Sequence, residues 1–133
     1  MCIRDRRDLM RLFINEGERI FGDRLVFPDE HEWTSTKFDE CAAEHMGASG
    51  QDLEKPIIFS TYLSGVYSEV DREELRAYIH ERLRVFNEEE LNVELVIFDE
   101  ALEHISRIDR VLRQPLGHLL LVGASGAGKT VLS

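Results

Sequence analysis

Eight residues near the C-terminal end of the chain have the types and spacing needed to bind phosphate. They fit the pattern G-x-x-x-x-G-K-[ST] and are Gly123, Ala124, Ser125, Gly126, Ala127, Gly128, Lys129 and Thr130. Glycines let successive backbone N–H groups converge on phosphate oxygens without a Cβ in the way. Lys129 can then reach the β- and γ-phosphates, and the Thr130 hydroxyl can ligate Mg²⁺. The motif, a P-loop, predicts a site for a nucleotide and Mg²⁺.

The residues around the P-loop would have to position it. Residues 118–122 form an apolar run short enough for a buried parallel strand, and they lead directly into the glycines. A helix that begins near Thr130 would aim the positive end of its dipole at the phosphates. Because only three residues follow Thr130, we expect a fragment that lacks this helix and is not hydrolytic alone. No catalytic residue is assigned.

Composition excludes several classes of protein. The 133 residues are 43% hydrophobic and 32% charged, which is ordinary for a soluble globular chain. A net charge of −10 argues against a nucleic-acid or anionic-membrane surface, since both require a basic footprint. No apolar run is long enough to insert into a membrane, and no signal peptide is recognisable. Two cysteines and five histidines without ligand spacing favour a reducing, zinc-free setting.

The N-terminal half reads as two helices. Residues 1–6 differ in character from the rest, and we predict a non-native addition there. A first helix is predicted over residues 7–22, and its apolar residues at helical spacing are Leu9, Met10, Phe13, Ile20 and Phe21. A second is predicted from Thr36, as N-cap, to a stop at Gly47. Its apolar stripe is Phe38, Cys41, Ala42, His45 and Met46. Residues 29–32 are predicted to be a polar connection, and Trp33 a packed anchor.

A module boundary is predicted after the small, polar residues 47–52. Residues 55–63 then favour a short edge strand. Asp71 followed by Glu74 predicts the start of a helix, and its apolar face comprises Leu75, Tyr78, Ile79, Leu83 and Phe86. A last helix is predicted over residues 92–113, and residues 114–117 stop it before the P-loop strand.

The region from residue 110 to the P-loop closely resembles the start of the fourth AAA+ module of dynein heavy chains, with the cytoplasmic type nearer. Further stretches that resemble the same module are residues 56–59, 72–76, 82–86, 88–91 and 107–110. Residues 8–26 and the helix after them resemble the lid that ends the third module. The resemblance implies an α/β P-loop NTPase (AAA+) fragment, mostly helical, with an incomplete parallel sheet at its C-terminal end. Residues 7–52 would be the helical lid, and residues 53–133 the N-terminal part of the next module, truncated after the P-loop.

The resemblance also implies a function. Dynein heavy chains are minus-end-directed microtubule motor ATPases in the cytoplasm, and their AAA+ modules bind ATP and Mg²⁺ between neighbours. Residues 123–130 would then supply a regulatory ATP site, with Lys129 on the phosphates and Thr130 on Mg²⁺. The implied partners are neighbouring AAA+ modules, the dynein intermediate and light chains, and microtubules, the last three through other regions of the protein.

Residues 95–100 copy the Walker B pattern of four apolar residues followed by Asp99 and Glu100. Two observations argue against a catalytic role. In AAA+ proteins the Walker B strand follows the P-loop, whereas this stretch precedes it. The apolar spacing also continues through Asp99 and Glu100 as in a helix. We therefore predict that neither residue is catalytic.

Two other classes of function stay open on the residues alone. One is an unrelated P-loop NTPase or kinase with a helical N-terminal region. The other is a non-enzymatic helical interaction module in which Gly-Lys-Thr occurs by chance. A downstream Asn-Lys-x-Asp motif would favour a GTPase. The interaction module would be favoured if a chain extended through the next helix and strand ignored nucleotide and Lys129→Ala changed nothing.

Overall fold

The computed structural model describes residues 6–89 and 97–123, except for the side chain of Glu89. The chain divides into two compact units, Met1–Phe59 and Ser60–Ser133. The elements, in chain order, are α1 (Arg6–Phe21), a 3₁₀ turn (Gly22–Arg24), α2 (Pro28–Met46), a second 3₁₀ turn (Gly50–Leu53), β1 (Phe59–Ser60), β2 (Ser68–Glu69), α3 (Arg72–Glu89) and α4 (Asp99–Leu112). The described part is mostly helical, as predicted. The predicted boundary after residue 52 stays a prediction.

Helix α2 begins at Pro28, eight residues before the predicted N-cap at Thr36, so that prediction is wrong. Proline suits the first helical position because its fixed φ is already helical and it has no N–H to satisfy. Asp29 and Glu30 place negative charge in the first turn, and Glu30 accepts the Phe27 N–H at 3.4 Å. Thr36 instead donates to the carbonyl of Glu32 inside the helix.

The predicted end of α2 at Gly47 is confirmed. Gly47 has a φ of 65°, a left-handed conformation that glycine adopts without strain. Its N–H donates to the Ala43 carbonyl at 3.1 Å, and the Ala48 N–H donates to Ala42 at 3.0 Å. The Arg6 side chain also donates to the Met46 carbonyl. The last carbonyls of α2 are therefore well satisfied.

Three side chains of α2 lie elsewhere than predicted. Trp33 is 64% exposed, and Lys37 Nζ lies 5.9 Å from its ring centroid, so Trp33 is not a packed anchor. Cys41 and His45, predicted on the apolar stripe, are also exposed. The buried residues of α2 are Thr34 and Ala42. The low apolar content of this helix leaves only a narrow buried face.

Helix α1 buries a different face from the one predicted. Of the five apolar residues predicted to lie together, four are exposed: Leu9, Phe13, Ile20 and Phe21. The buried residues of α1 are Met10, Arg11, Leu12, Ile14, Asn15 and Gly17. A Cβ on Gly17 would lie within 2.7 Å of three ring atoms of Phe38 in α2. This close approach of the two helices determines which face of α1 is buried.

Arg11 is buried because its guanidinium joins α1 to the second 3₁₀ turn. The side chain is 5% exposed, and Nη1 donates to the carbonyls of Gln51 (3.2 Å), Asp52 (3.2 Å) and Glu54 (3.0 Å). Hydrogen bonds from a charged group are stronger than neutral ones and offset the cost of burial. Arg11 therefore fixes a segment that otherwise has little apolar content.

Replacing Gly17 with alanine should destabilise the α1–α2 pair. Alanine is the better helix former by about 1 kcal/mol, but its methyl group would have to displace the Phe38 ring. Overpacking of this kind costs about 1–3 kcal/mol, so we expect a net loss of about 1 kcal/mol. Urea unfolding of the chain, followed by far-UV circular dichroism, measures the difference. Gly22→Ala is the matched control because no atom lies within 4 Å of a Cβ there. Greater stability in Gly17→Ala would contradict the packing described.

The predicted start of α3 at Asp71 is confirmed. Asp71 Oδ1 accepts the backbone N–H groups of Glu73 at 2.9 Å and Glu74 at 3.1 Å, as an N-cap does. Leu75 is fully buried and Ile79 is 9% exposed, whereas Phe86 near the C-terminal end is 45% exposed. The N-terminal half of α3 therefore contributes to the core of this unit, together with the buried residues of α4.

Two predictions for the C-terminal region are wrong within the described residues. Helix α4 begins at Asp99 with Phe98 as its N-cap, although the spacing predicted a helix from residue 92; residues 92–96 lie outside the described part. Residues 118–122 form no strand, and the described sheet is a two-stranded antiparallel pair of β1 and β2. A parallel strand needs neighbours on which to form its ladder, and residues 6–89 and 97–123 supply none.

Candidate functional site: the approach to the P-loop

The predicted P-loop lies almost entirely outside the described part of the chain. The structure describes Gly123, the first predicted site residue, and residues 124–130 are not described. It does describe the approach to the loop, from α4 through residues 113–122. This approach determines where the chain reaches its first glycine.

A tight turn follows α4. The Gln114 N–H donates to Val111, and the Gly117 N–H donates to Gln114, at 3.1 and 3.0 Å. A Cβ on Gly117 would overlap the Val111 carbonyl oxygen, so the turn requires glycine at this position. Leu116, 90% exposed, has a φ of 58°, which is uncommon for a residue with a side chain. The path of the chain after α4 is therefore closely constrained.

The apolar run before the P-loop is exposed. Leu120 and Val122 are each 85% exposed, and Leu119 is 39% exposed. Large adjacent apolar side chains of this kind usually mark a surface that another part of a protein covers. The exposure agrees with a segment that pairs with strands other than those in the described residues.

A buried charged group near this approach is the carboxylate of Asp109 in α4, which is 4% exposed. Its Oδ2 accepts the Ser60 hydroxyl (3.2 Å) and the Thr61 N–H (3.0 Å), and its Oδ1 accepts the Thr61 hydroxyl (2.9 Å). Arg113 Nε, one turn later, donates to Oδ1 at 3.2 Å. We call Ser60, Thr61, Asp109 and Arg113 the Asp109 cluster. It attaches residues 60–61 to the last turn of α4.

The Tyr62 side chain lies in the electrostatic field of the Asp109 carboxylate. Burial raises the pKa of the Tyr62 phenol above its ordinary value, and the negative charge of Asp109 adds to the shift in the same direction. The ring lies against Tyr78 of α3, with centroids 6.2 Å apart. Tyr62 is therefore expected to stay protonated at a pH at which exposed tyrosines ionise.

Asp99 and Glu100, which copy the Walker B pattern, lie in the first turn of α4. The Asp99 carboxylate is held by two arginines of α3: Arg72 Nη1 donates to Oδ2 at 2.9 Å, and Arg76 Nη2 donates to Oδ1. Both carboxylate oxygens are therefore occupied by ion pairs rather than directed at a metal. The geometry indicates a structural role, in which Asp99 joins the N-terminal ends of α3 and α4.

The pair of arginines around Asp99 leads to a prediction. Asp99→Asn should lower the free energy of unfolding by only about 1 kcal/mol, because the side chains are partly exposed and solvent screens the ion pairs. If Asp99 were a magnesium ligand, the same change would instead weaken Mg²⁺-dependent binding of nucleotide. Urea unfolding of the chain and nucleotide binding with and without Mg²⁺ separate the two roles.

Asp109 is the functional candidate that sequence reasoning missed. The one available signal was its position, seven residues after Leu102 and three after Ser106, in line with the buried face of α4. An acidic residue on an apolar face is expected to have buried hydrogen-bond donors nearby. The donors lie nearly fifty residues earlier in the chain, where periodicity alone could not identify them.

Residues 6–89 and 97–123 contain no group of three or more His, Cys, Asp or Glu side chains placed to hold a metal ion. None of the helices described is long and apolar enough to cross a membrane. The predicted Mg²⁺ ligand, Thr130, lies outside the described part.

Comparison with known proteins first defines the class. A protein-family model described as "P-loop containing dynein motor region D4" matches residues 93–133, which include α4, the approach and the predicted P-loop. The match therefore covers the region on which the functional argument depends.

Curated relatives extend the match to nearly the whole chain. The cytoplasmic dynein heavy chain of Paramecium tetraurelia is 58% identical over 127 residues, 95% of this chain. Those of Drosophila melanogaster and Dictyostelium discoideum are 54% and 53% identical over 94% of it. The chain belongs to the dynein heavy-chain family. It spans about 3% of the length of these three relatives.

Proposed function

We propose that this chain supplies the phosphate-binding part of an ATP site in a dynein motor. The observation that carries the proposal is the sequence of residues 123–130, which fits the P-loop pattern inside the region matched by the dynein motor model. Backbone N–H groups of the loop would surround the phosphates, Lys129 would neutralise their charge, and the Thr130 hydroxyl would ligate Mg²⁺.

The described residues would contribute position rather than chemistry. The Asp109 cluster and the turn at Gly117 fix the chain just before the apolar run that enters the loop. Asp99 is held by Arg72 and Arg76, so a Walker B carboxylate for Mg²⁺, and the water-activating carboxylate next to it, would come from elsewhere in the heavy chain. We propose that this segment binds ATP and does not hydrolyse it alone.

The finer assignments follow from membership of the dynein family. We propose that the segment joins the lid of one AAA+ module to the start of the next and that its nucleotide site is regulatory. Its direct partners would then be neighbouring AAA+ modules of the same chain. Microtubules and the intermediate and light chains would bind other regions of a minus-end-directed motor in the cytoplasm.

Residue-specific labelling tests the proposed site even in a protein with several nucleotide sites. Acyl-phosphate derivatives of ATP transfer their acyl group to a lysine amine beside the bound phosphates. In the heavy chain that carries this sequence, we expect labelling of Lys129, with protection by excess ATP, as read by mass spectrometry of the peptide. Labelling that ATP does not reduce would contradict the proposal.

The chain contains its own controls for this experiment. Its other two lysines are Lys37, which pairs with Glu40, and Lys55, which lies 2.6 Å from Glu18. Neither belongs to a phosphate-binding pattern, so labelling of either should be weak and insensitive to ATP. Equal, ATP-insensitive labelling of all three would indicate general lysine reactivity instead of a nucleotide site.

A further inference from the structure

We propose that Asp109 is a positioning residue for the phosphate loop. The Asp109 cluster fixes the last turn of α4 to residues 60–61, and α4 is followed at once by the approach to the loop. This inference rests on the proposed nucleotide site and adds a residue that neither the P-loop pattern nor the comparisons identify.

The Asp109 cluster attaches α4 firmly to residues 60–61. The Asp109 carboxylate is 4% exposed and receives donors from two segments far apart in sequence: Ser60 and Thr61 on one side and Arg113 on the other. A buried carboxylate with several donors has few alternative positions, because moving it would leave polar groups unsatisfied. The last turn of α4 is thus held at a defined place relative to residues 60–61.

Only a short connection separates the Asp109 cluster from the phosphate loop. Helix α4 ends three residues after Asp109, and the Arg113 N–H still donates to the Asp109 carbonyl at 3.1 Å. The turn then brings Gly117 against the Val111 carbonyl so closely that no Cβ can be accommodated. From Asp109 to Gly117, successive contacts therefore fix the path of the chain. Gly123, the first P-loop residue, follows six residues later.

The affinity of a P-loop for phosphate depends on how accurately the loop is placed. A P-loop binds phosphate through several backbone N–H groups at once, and an error of about 1 Å in such a set can weaken binding severely. Loosening the attachment of α4 would let the chain enter the loop from several directions. Nucleotide binding would then have to select one direction, which lowers the apparent affinity.

Coupling of this kind is reciprocal. If the Asp109 cluster favours the binding conformation, bound nucleotide must in turn stabilise the cluster. The Thr61 N–H donates to Asp109 Oδ2, so its hydrogen exchange directly reports whether the cluster is intact. Addition of MgADP to the heavy chain should slow exchange in the peptide that contains Thr61.

The test uses Asp109→Asn in the heavy chain, since asparagine keeps the shape and one acceptor but loses the charge. We expect MgADP affinity at this site, measured as protection of Lys129 from the acyl-phosphate probe, to fall about fivefold or more. We also expect the Thr61 peptide to lose its nucleotide-dependent protection. Ser60→Ala, which removes a single donor, should shift both measurements in the same direction by less.

Two comparisons make the outcome decisive. Gly17→Ala is expected to destabilise the unit Met1–Phe59, which does not contain Asp109, and it should leave MgADP affinity unchanged. This variant therefore separates positioning of the loop from a general loss of stability. If Lys129 in the unmodified protein is not protected by nucleotide, the proposed site itself is wrong. If Lys129 is protected equally well in Asp109→Asn and the unmodified protein, the site stands and the positioning role of Asp109 is refuted.

Discussion

Replacing Asp109 with alanine is expected to lower the free energy of unfolding by about 3 kcal/mol. The change removes the acceptor of the Ser60 hydroxyl and of the Thr61 N–H and hydroxyl, and it leaves these donors buried. Unsatisfied buried donors cost about 1–3 kcal/mol each, although part of this cost is recovered by relaxation. Urea unfolding of the 133-residue chain measures the loss, and hydrogen exchange locates it at residues 60–61.

Asp23→Ala is the matched control for this experiment. Asp23 also pairs with an arginine one turn away, Arg19 at 3.3 Å, but its side chain is 30% exposed. An ion pair of this kind contributes about 1 kcal/mol or less. If Asp109→Ala were no more destabilising than Asp23→Ala, the carboxylate would not hold residues 60–61 as the structure indicates.

Replacing Lys129 with alanine is expected to weaken ATP binding at this site by about 10- to 150-fold. A hydrogen bond from a charged group contributes about 1.5–3 kcal/mol, which corresponds to that range of affinity. The measurement is binding of a fluorescent ATP analogue to the heavy chain, with any other nucleotide site inactivated by mutation. Thr130→Ala should retain binding without Mg²⁺ and lose the gain in affinity that Mg²⁺ provides.

Lys55→Ala is the corresponding control. Lys55 lies 2.6 Å from Glu18 and 3.3 Å from Asp39 in the first unit, so its loss removes a cation without touching the P-loop. The Lys55→Ala variant should bind the fluorescent ATP analogue as tightly as the unmodified protein does. Equal affinities for Lys129→Ala and Lys55→Ala would mean that residues 123–130 do not bind the phosphates.

Local signals in the sequence predicted the helix ends that depend on local chemistry. The cap of Asp71 on Glu73 and Glu74 and the left-handed Gly47 both act within a few residues, so they were correctly predicted. The start of α2 at Pro28 was missed, although proline at the first helical position followed by two acidic residues is also a local signal. The prediction of a polar connection over residues 29–32 is wrong, because these residues form the first turn of α2.

Packing between distant segments could not be predicted in the same way. The apolar residues of α1 occupy more than one face, and the contact of Gly17 with Phe38 determines which of them are buried. Arg11 and Asp109 are buried because their hydrogen-bond partners lie about forty and fifty residues away in sequence. A hydrophobic period places charged residues on the exposed face of a helix. It therefore predicts where the helices lie in the sequence better than which of their faces are buried.

The predicted site illustrates the same division. The P-loop pattern predicts a site at residues 123–130 from spacing alone, and the region matched by the family model spans them. The apolar run before it was predicted to be a strand, but a strand depends on partners that the described residues do not supply. Local spacing is therefore enough to predict the residues of the site, whereas the strand that would lead into it depends on partners outside the described residues.

A structure of the complete heavy chain with bound Mg²⁺ and nucleotide would test the central claim most directly. We predict density for a nucleotide whose phosphates contact the backbone N–H groups of residues 123–130 and Lys129, with Mg²⁺ on the Thr130 hydroxyl. Any other nucleotide site of the heavy chain would provide the internal reference for occupancy. Density for nucleotide at those sites with none at residues 123–130, at saturating concentration, would contradict the account.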